Sequence, residues 1–283
     1  INKFNIDCDF YIPNRFIDGY GPNKNLLNKL INKKKYSLIF FVDCGSNSSE
    51  EILYLEKIGL KIIIIDHHQI YKKNYYKNTI IINPLKNYNY NQFSFFCSTT
   101  LVYYFIQYLI KNVKDKIKID HNKHLFFAAI ATICDQMPIR NINRIIVKKG
   151  LKNFNIKKFS YFKKILKLKN KISSSDVGFN LGPLLNSSSR LGPSDLPIKL
   201  LLETRNTNIN KISDKLTSLN EKRKKIQNET FRFLNNKNEV FKNQVVFKYA
   251  ANINEGLIGI YAANFVELYS KPSFVLTNSN NYI

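Results

Sequence analysis

The chain has 283 residues, 44% of them hydrophobic, so it is long enough to bury one or two apolar cores. Its 44 lysines and arginines exceed its 20 acidic residues by 24 charges. That balance favours a polyanionic partner such as nucleic acid over an acidic protein or a neutral metabolite. No uncharged apolar run approaches the roughly 18 residues of a membrane span, and no signal-peptide pattern opens the sequence. We therefore expect neither a disulfide-stapled miniprotein, a disordered tail, a membrane protein nor a secreted one.

The cysteines are widely spaced and form no C-x-x-C pair. They are Cys8, Cys44, Cys97 and Cys134. Such a distribution is typical of proteins that work in a reducing compartment. The sequence therefore predicts a cytoplasmic location.

The first half of the chain alternates apolar runs with amphipathic stretches. Residues 38–42 predict a buried parallel strand, residues 49–58 a helix and residues 62–65 the next strand, which together make a βαβ unit. The elements predicted next are a short strand at 78–83 and helices at 96–110 and 124–133. The fold class predicted is α/β, with an open, mainly parallel sheet flanked by helices.

The second half begins with a segment rich in glycine, proline and serine. Residues 178–193 are predicted to be loop-rich for that reason. Residues 195–235 then predict a long connecting helix, because apolar residues recur every three to four positions while the charged run 221–225 lies on the other side. Strands at 244–249 and 273–276 flank a helix that starts near Gly256, and these elements predict the start of a second, smaller α/β domain.

These patterns divide the chain into three parts. Residues 1–203 are predicted to form the first domain, residues 204–238 the connecting helix and residues 239–283 the start of the second domain.

Carboxylates follow two successive predicted strands. Asp43 follows the first strand, and Asp66 with His67 and His68 follows the second. Because the carboxyl ends of parallel strands meet at one edge of the sheet, these side chains should converge. Asp135 is a third candidate, after an apolar helical run. A lone Asp after a strand is more often a turn or helix-cap residue, and Asp135 alone is equally typical of either role. Carboxylates beside imidazoles, however, suit a divalent ion of the Mn²⁺ or Mg²⁺ type.

The order of these motifs resembles the DHH phosphoesterase superfamily and, within it, the RecJ-type single-strand-specific 5′ to 3′ exonucleases. The similarity covers nearly the whole chain. The segments that carry it are 10–15 with 19–21, 42–45, 66–68, 82–84, 131–138 with 143–144, 181–186 with 190–192, and 256–260.

The resemblance implies a centre for two Mn²⁺ or Mg²⁺ ions. By similarity, Asp43 bridges the two ions, and His67 and Asp135 bind one of them. His68 faces the scissile phosphate, and Asp66 orients the neighbouring imidazole as a hydrogen-bond acceptor. The implied activity is metal-dependent hydrolysis of phosphodiesters.

The resemblance also implies the substrate and its contacts. Asn186 and Arg190 correspond to residues that hold DNA phosphates, and Arg15 to one that grips the 5′ end, a task that suits guanidinium groups. The implied partner is single-stranded DNA, and the implied role is in DNA repair and recombination.

The sequence departs from the family pattern in two ways. The first motif, Asp-x-Asp, would lie before Ile1, and the last motif, Gly-Gly-His, has no counterpart within the 283 residues. We therefore expect this sequence to be an internal segment that binds metal weakly and is inactive alone. In addition, Leu184, Asn254 and Asn264 replace the usual Arg, His and Arg.

Two alternatives stay open at this point. One is another DHH phosphodiesterase that acts on short or cyclic nucleotides. The other is a catalytically impaired remnant that binds nucleic acid, which the three replacements favour.

Overall fold

The computed structural model describes residues 6–19, 21–71, 75–86, 92–113, 118–154, 159, 162, 165–166, 171–235 and 243–278. The chain divides into two compact units, Ile1–Gly182 and Pro183–Ile283. The three-part domain division drawn from the sequence stays a prediction.

The first unit is built on a parallel sheet. Its described strands are β1 (Leu38–Val42), β2 (Lys61–Ile65) and β3 (Thr79–Ile82), and they lie in that order. Val42 pairs with Ile65, which in turn pairs with Ile82, so the three strands end in the same row. This register brings the residues that follow the strands to one edge of the sheet.

Helices cover both faces of this sheet. They are α1 (Lys24–Ile31), α2 (Ser49–Lys57), α3 (Ser98–Asn112), α4 (His121–Cys134) and α5 (Asn141–Lys152). Successive strand residues point to opposite faces. Ile62 and Ile64 accordingly pack in a core with Leu55 of α2, whereas Ile65 packs in a second core with Ala128 of α4. The predicted α/β class is confirmed. The predicted burial of residues 38–42 is wrong, however, because β1 lies at the edge of the described sheet and exposes Leu38, Phe40 and Val42.

The predicted loop at 178–193 is wrong, because this segment is helical. A π-helical turn spans Asp176–Leu181, and α6 spans Gly182–Leu191. Gly182 serves close packing rather than a turn, since a Cβ there would lie 2.8 Å from Sγ of Cys134. Pro183 stands in the first turn, where its missing N–H costs nothing.

The serines of α6 are also compatible with a helix. The hydroxyls of Ser187, Ser188 and Ser189 each donate to the carbonyl oxygen three residues earlier. Their polar groups are thereby satisfied inside the helix, although serine is usually a loop signal.

The second unit contains a long helix followed by a small α/β module. Its elements after α6 are α7 (Leu196–Leu202), α8 (Asn206–Leu234), β4 (Val246–Tyr249), a 3₁₀ turn (Glu255–Leu257), α9 (Ile258–Tyr269) and β5 (Ser273–Leu276). β4 and β5 are parallel, and Tyr261 and Phe265 of α9 are fully buried in the core between them and α8. A long helix followed by α/β elements agrees with the predicted fold class, but the helix predicted over 195–235 is interrupted between Leu202 and Asn206.

One residue of the charged run in α8 does not face solvent. Lys222, Lys224 and Lys225 are exposed, but Arg223 is 8% exposed. Its Nε donates to Oδ1 of Asn220 at 3.1 Å, and its Nη1 donates to Oε1 of Gln227 at 2.8 Å. The sequence pattern placed Arg223 on the polar side, and the structure corrects that assignment.

No helix in the described ranges combines the length and apolarity needed to cross a bilayer.

Candidate metal centre

Asp43 stands directly after β1 in a backbone conformation that few residues adopt. Its φ is +64°, in the left-handed region. The Asp43 N–H still donates to the carbonyl oxygen of Ile65 at 3.0 Å, so the backbone is tied to β2 while the chain turns away. The side chain is 63% exposed. Asp43 therefore presents its carboxylate at the edge where the strands end.

His67 lies between two carboxylates. Its Nε2 atom is 3.3 Å from Oδ1 of Asp43 and 3.2 Å from Oδ2 of Asp135. Asp135 is the C-cap residue of α4, so a helix that covers one face of the sheet delivers the second carboxylate to the strand ends. The predicted convergence of these side chains is present in the structure.

The electrostatics of the cluster follow from this crowding. The hydrogen bond to Asp43, together with the charge of Asp135, raises the pKa of His67 against the opposing effect of burial. Burial and then the charge of Asp43 raise the pKa of Asp135, although His67 opposes the shift. The two carboxylates around this imidazole repel each other, and a bound cation would reduce that repulsion.

Asp66 is the buried member of the Asp-His-His sequence. It is 1% exposed, and its Oδ1 is 2.7 Å from Nδ1 of His68. Because a carboxylate only accepts, Nδ1 of His68 carries the proton and Nε2 faces away from Asp66. Burial alone would raise the pKa of Asp66, but hydrogen bonds from His68 and Ser46 outweigh it and hold the pKa below its usual value.

The donor set fits a divalent ion. Ligand atoms of Asp43, His67 and His68 lie within 4.8 Å of one another, and His67 connects this group to Asp135 at 3.2 Å. Adjacent ligands of an octahedral ion with bonds of about 2.1 Å are about 3 Å apart. The separations around His67 are close to that value.

The nearby thiols do not belong to this donor set. Cys44 follows Asp43, and Cys134 precedes Asp135. Burial, with the charges of adjacent acids, raises the pKa of each thiol to about 11. Both therefore stay protonated at neutral pH, and a carboxylate and imidazole site favours Mn²⁺ or Mg²⁺ over a thiolate-bound metal.

Comparison with known proteins shows what this fold and site are similar to. Residues 1–132 match the model of the DHH family, N-terminal domain. The chain is also similar to RecJ exonucleases, and that similarity extends over nearly its whole length. The resemblance found in the sequence is confirmed.

Two curated relatives show the extent of the sequence similarity. The single-stranded-DNA-specific exonuclease RecJ of Bacillus subtilis (strain 168) is 27% identical over 282 residues, which are 98% of this chain and 35% of the relative. RecJ of Escherichia coli (strain K12) is 28% identical over 235 residues, 78% of this chain and 40% of the relative. The chain thus spans less than half of either protein.

Solved structures share the fold. A crystal structure of exonuclease RecJ bound to manganese aligns with a TM-score of 0.81 at 21% identity and covers 94% of this chain and 67% of that one. RecJ from Thermus thermophilus in complex with Mn²⁺ aligns with a TM-score of 0.72 at 20% identity, covering 89% of this chain and 38% of that one. A complex of the Thermus protein with Mg²⁺ also matches.

The three predicted substrate contacts lie outside the metal cluster. Arg15 is half-buried in a turn closed by the bond from the Asp18 N–H to the Asn14 carbonyl. Asn186 is exposed on α6, in the segment of that helix that belongs to the second unit. Nη1 of Arg190 donates to the carbonyl oxygen of Gly256 at 2.7 Å. Arg190 therefore has a structural contact within its own unit, and the roles of all three in substrate binding stay predictions.

The replacements that depart from the family pattern have structural surroundings of their own. Leu184 is buried at 5% exposure. Oδ1 of Asn254 accepts from the Gly256 N–H at 2.9 Å and caps the 3₁₀ turn, and Asn264 is half-buried in α9.

Two residues beneath the cluster had no assigned role in the sequence prediction. Ser46 and Asn83 are both buried, and they link the ends of the strands to Asp66. Two sequence signals pointed to Asn83: it lies in the segment 82–84 that carries the family resemblance, and it follows β3 as Asp43 follows β1 and Asp66 follows β2.

Proposed function

We propose that this chain is the metal-binding part of a single-stranded-DNA-specific 5′ to 3′ exonuclease that hydrolyses phosphodiesters with Mn²⁺ or Mg²⁺. The observation that carries the proposal is the position of His67, with its Nε2 atom within 3.3 Å of carboxylates from both Asp43 and Asp135. The DHH match and the RecJ relatives support it. The proposal includes a role in DNA repair and recombination, which the family resemblance implies, and a cytoplasmic location, which the four free cysteines support.

Asp43, His67 and Asp135 would hold the ion. A bound divalent ion supplies an activated water at neutral pH and neutralises charge on the phosphate oxygens. Asp43 has the most exposed side chain of the three, which suits a ligand shared between two ions.

His68 would act on water or on the phosphate rather than hold the ion. Its Nδ1 proton is committed to Asp66, and its side chain is 56% exposed. Nε2 is thus left to accept a proton from water or, when protonated, to donate to a phosphate oxygen. The buried carboxylate fixes the ring so that it offers the same atom to every substrate.

The substrate follows from charge and from the relatives. The net charge of +24 favours a polyanion, and the relatives are named for single-stranded DNA. Asn186 and Arg190 would contact phosphates, and Arg15 would contact the 5′ end.

The test uses the natural protein that carries this sequence. End-labelled single-stranded and duplex oligonucleotides are incubated with it and Mn²⁺, beside the His67→Ala variant and the control His121→Ala, which changes an exposed histidine of α4. We expect mononucleotides from the 5′ end of the single strand only, with His67→Ala at least about 100-fold slower and His121→Ala unchanged.

Three results would refute the proposal. Unaltered cleavage by His67→Ala would show that the reaction does not require this metal centre. Digestion of a dinucleotide but not of a long 5′-phosphorylated strand would indicate another DHH phosphodiesterase. Binding of DNA without cleavage would indicate a catalytically impaired remnant.

A further inference from the structure

A buried polar network joins the ends of all three strands beneath the metal cluster. Ser46 follows β1 and is 3% exposed, Asp66 follows β2 and is 1% exposed, and Asn83 follows β3 and is 8% exposed. Polar groups that are buried at this level are costly unless each is hydrogen-bonded. The network therefore specifies one arrangement of the strand ends.

Asn83 occupies the centre of this network. Its Nδ2 donates to the carbonyl oxygen of His68 at 2.9 Å and to Oγ of Ser46 at 3.0 Å. Its Oδ1 accepts from the Leu85 N–H at 2.8 Å. Because the Leu85 N–H can only donate, the amide has one orientation that satisfies every partner.

Two steps connect Asn83 to the imidazoles. The N–H of Ser46 donates to Oδ2 of Asp66 at 3.1 Å. Oδ1 of Asp66 accepts from the His67 N–H at 2.8 Å and lies 2.7 Å from Nδ1 of His68. Asn83 thus holds the backbone of His68 directly and reaches the Asp66 carboxylate through Ser46.

We propose that Asn83 is a positioning residue for the metal centre. It sets the separation of the three strand ends, and thereby the distance from Asp43 on the first to His67 on the second. Residues that orient metal ligands typically change metal affinity about 10- to 100-fold when they are replaced. The inference rests on the proposed function, since it concerns the same ligands.

The most direct variant is Asn83→Asp, which keeps the shape of the side chain. It replaces the two donated hydrogen bonds with a carboxylate oxygen that faces the carbonyl of His68. We expect the Mn²⁺ dissociation constant, measured by calorimetry on the natural protein that carries this sequence, to rise about 10-fold or more. We also expect the ¹⁵N signals of the His68 ring to show a mixed tautomer without metal.

A matched control makes the same chemical change elsewhere. Nδ2 of Asn112 donates to the carbonyl oxygen of Tyr108 at 2.7 Å at the exposed end of α3. Asn112→Asp should leave both the Mn²⁺ affinity and the His68 signals unchanged. A second variant, Ser46→Ala, removes only the Oγ acceptor and should weaken Mn²⁺ binding about 10-fold, at the low end of such effects.

The outcomes separate this inference from the proposed function. Wild-type Mn²⁺ affinity and an unchanged His68 tautomer in Asn83→Asp would overturn the inference, even if the variant melts at a lower temperature. Failure of the natural protein that carries this sequence to bind Mn²⁺ would overturn the proposed function, and the His68 tautomer would still decide whether Asn83 positions the imidazole. If Asn83→Asp does not fold, Ser46→Ala decides it on the same two readouts.

Discussion

Nδ1 of His68 donates a 2.7 Å hydrogen bond to Oδ1 of Asp66, which is almost inaccessible to solvent. The three residues of the Asp-His-His sequence therefore differ in burial and in role. Asp66 is a buried acceptor, the His67 side chain is only 11% exposed between its two carboxylates, and the His68 side chain is 56% exposed. This division explains why an acid directly after a strand can be a support for a ligand rather than a ligand itself.

The substitution Asp66→Asn should destabilise the fold. The new amide cannot accept from the Ser46 N–H and from His68 at once, because one end of it is a donor. We expect a loss of about 2 kcal/mol in the free energy of unfolding, measured in urea. In the control Asp176→Asn, the amide oxygen can still accept from Ser173 at an exposed site, so the loss should be less than about 1 kcal/mol. Equal losses in the two variants would contradict the assigned role of Asp66.

A second prediction concerns the turn that follows Asp135. Gln136 has a φ of +53°, and the Met137 N–H donates to the Thr132 carbonyl at 3.1 Å, so the end of α4 is a Schellman motif without its usual glycine. Gln136→Gly should raise the free energy of unfolding by about 0.5 kcal/mol, since relief of the left-handed strain exceeds the entropy cost of glycine. The same substitution at Gln107, inside α3, should lower it by about 1 kcal/mol.

Glu203 predicts a pH dependence of stability. Its Oε1 accepts from the N–H groups of Thr204 and Arg205 at the start of α8, and these hydrogen bonds lower the pKa of Glu203 to about 2. A folded pKa below the unfolded value gives stability that is present above about pH 4.5 and is lost as the pH falls toward 2. Glu203→Gln should therefore melt at a lower temperature than wild type near pH 6, with a smaller difference near pH 3. A difference that grows on acidification would have the wrong sign.

The exposed lysines of α8 predict a salt-dependent contact with DNA. Replacing Lys222, Lys224 and Lys225 by Gln should weaken single-strand binding and reduce the slope of log affinity against log salt by about 2, since each phosphate contact contributes about 0.7. The control replaces the exposed Lys148, Lys149 and Lys152 of α5 by Gln, with the same loss of charge. If both triple variants change the slope equally, α8 guides DNA only through net charge.

The strands and the edge of the sheet were predictable from sequence for a simple reason. The apolar runs at 38–42 and 62–65 have the length and composition of buried parallel strands, and parallel strands bring their carboxyl ends together. The proximity of Asp43 to His67 follows from that topology. The catalytic and binding roles of these residues remain predictions.

Other features depend on contacts that no local pattern reveals. Gly182 is typical of a turn but provides a close contact with Cys134, and Arg223 belongs to a charged run yet is buried among amide partners. An asparagine before a proline, such as Asn83, is a common turn signal. Its hydrogen bonds to His68 and Ser46 join residues that are distant in sequence, so the local pattern did not predict them.

The most direct test of the metal centre is Mn²⁺ binding to the natural protein that carries this sequence, measured by electron paramagnetic resonance for wild type, His67→Ala and the control His121→Ala. We predict that wild type and His121→Ala bind Mn²⁺ alike and that His67→Ala loses at least about 10-fold in affinity. Equal Mn²⁺ binding by wild type and His67→Ala would contradict the assignment of His67 as a metal ligand.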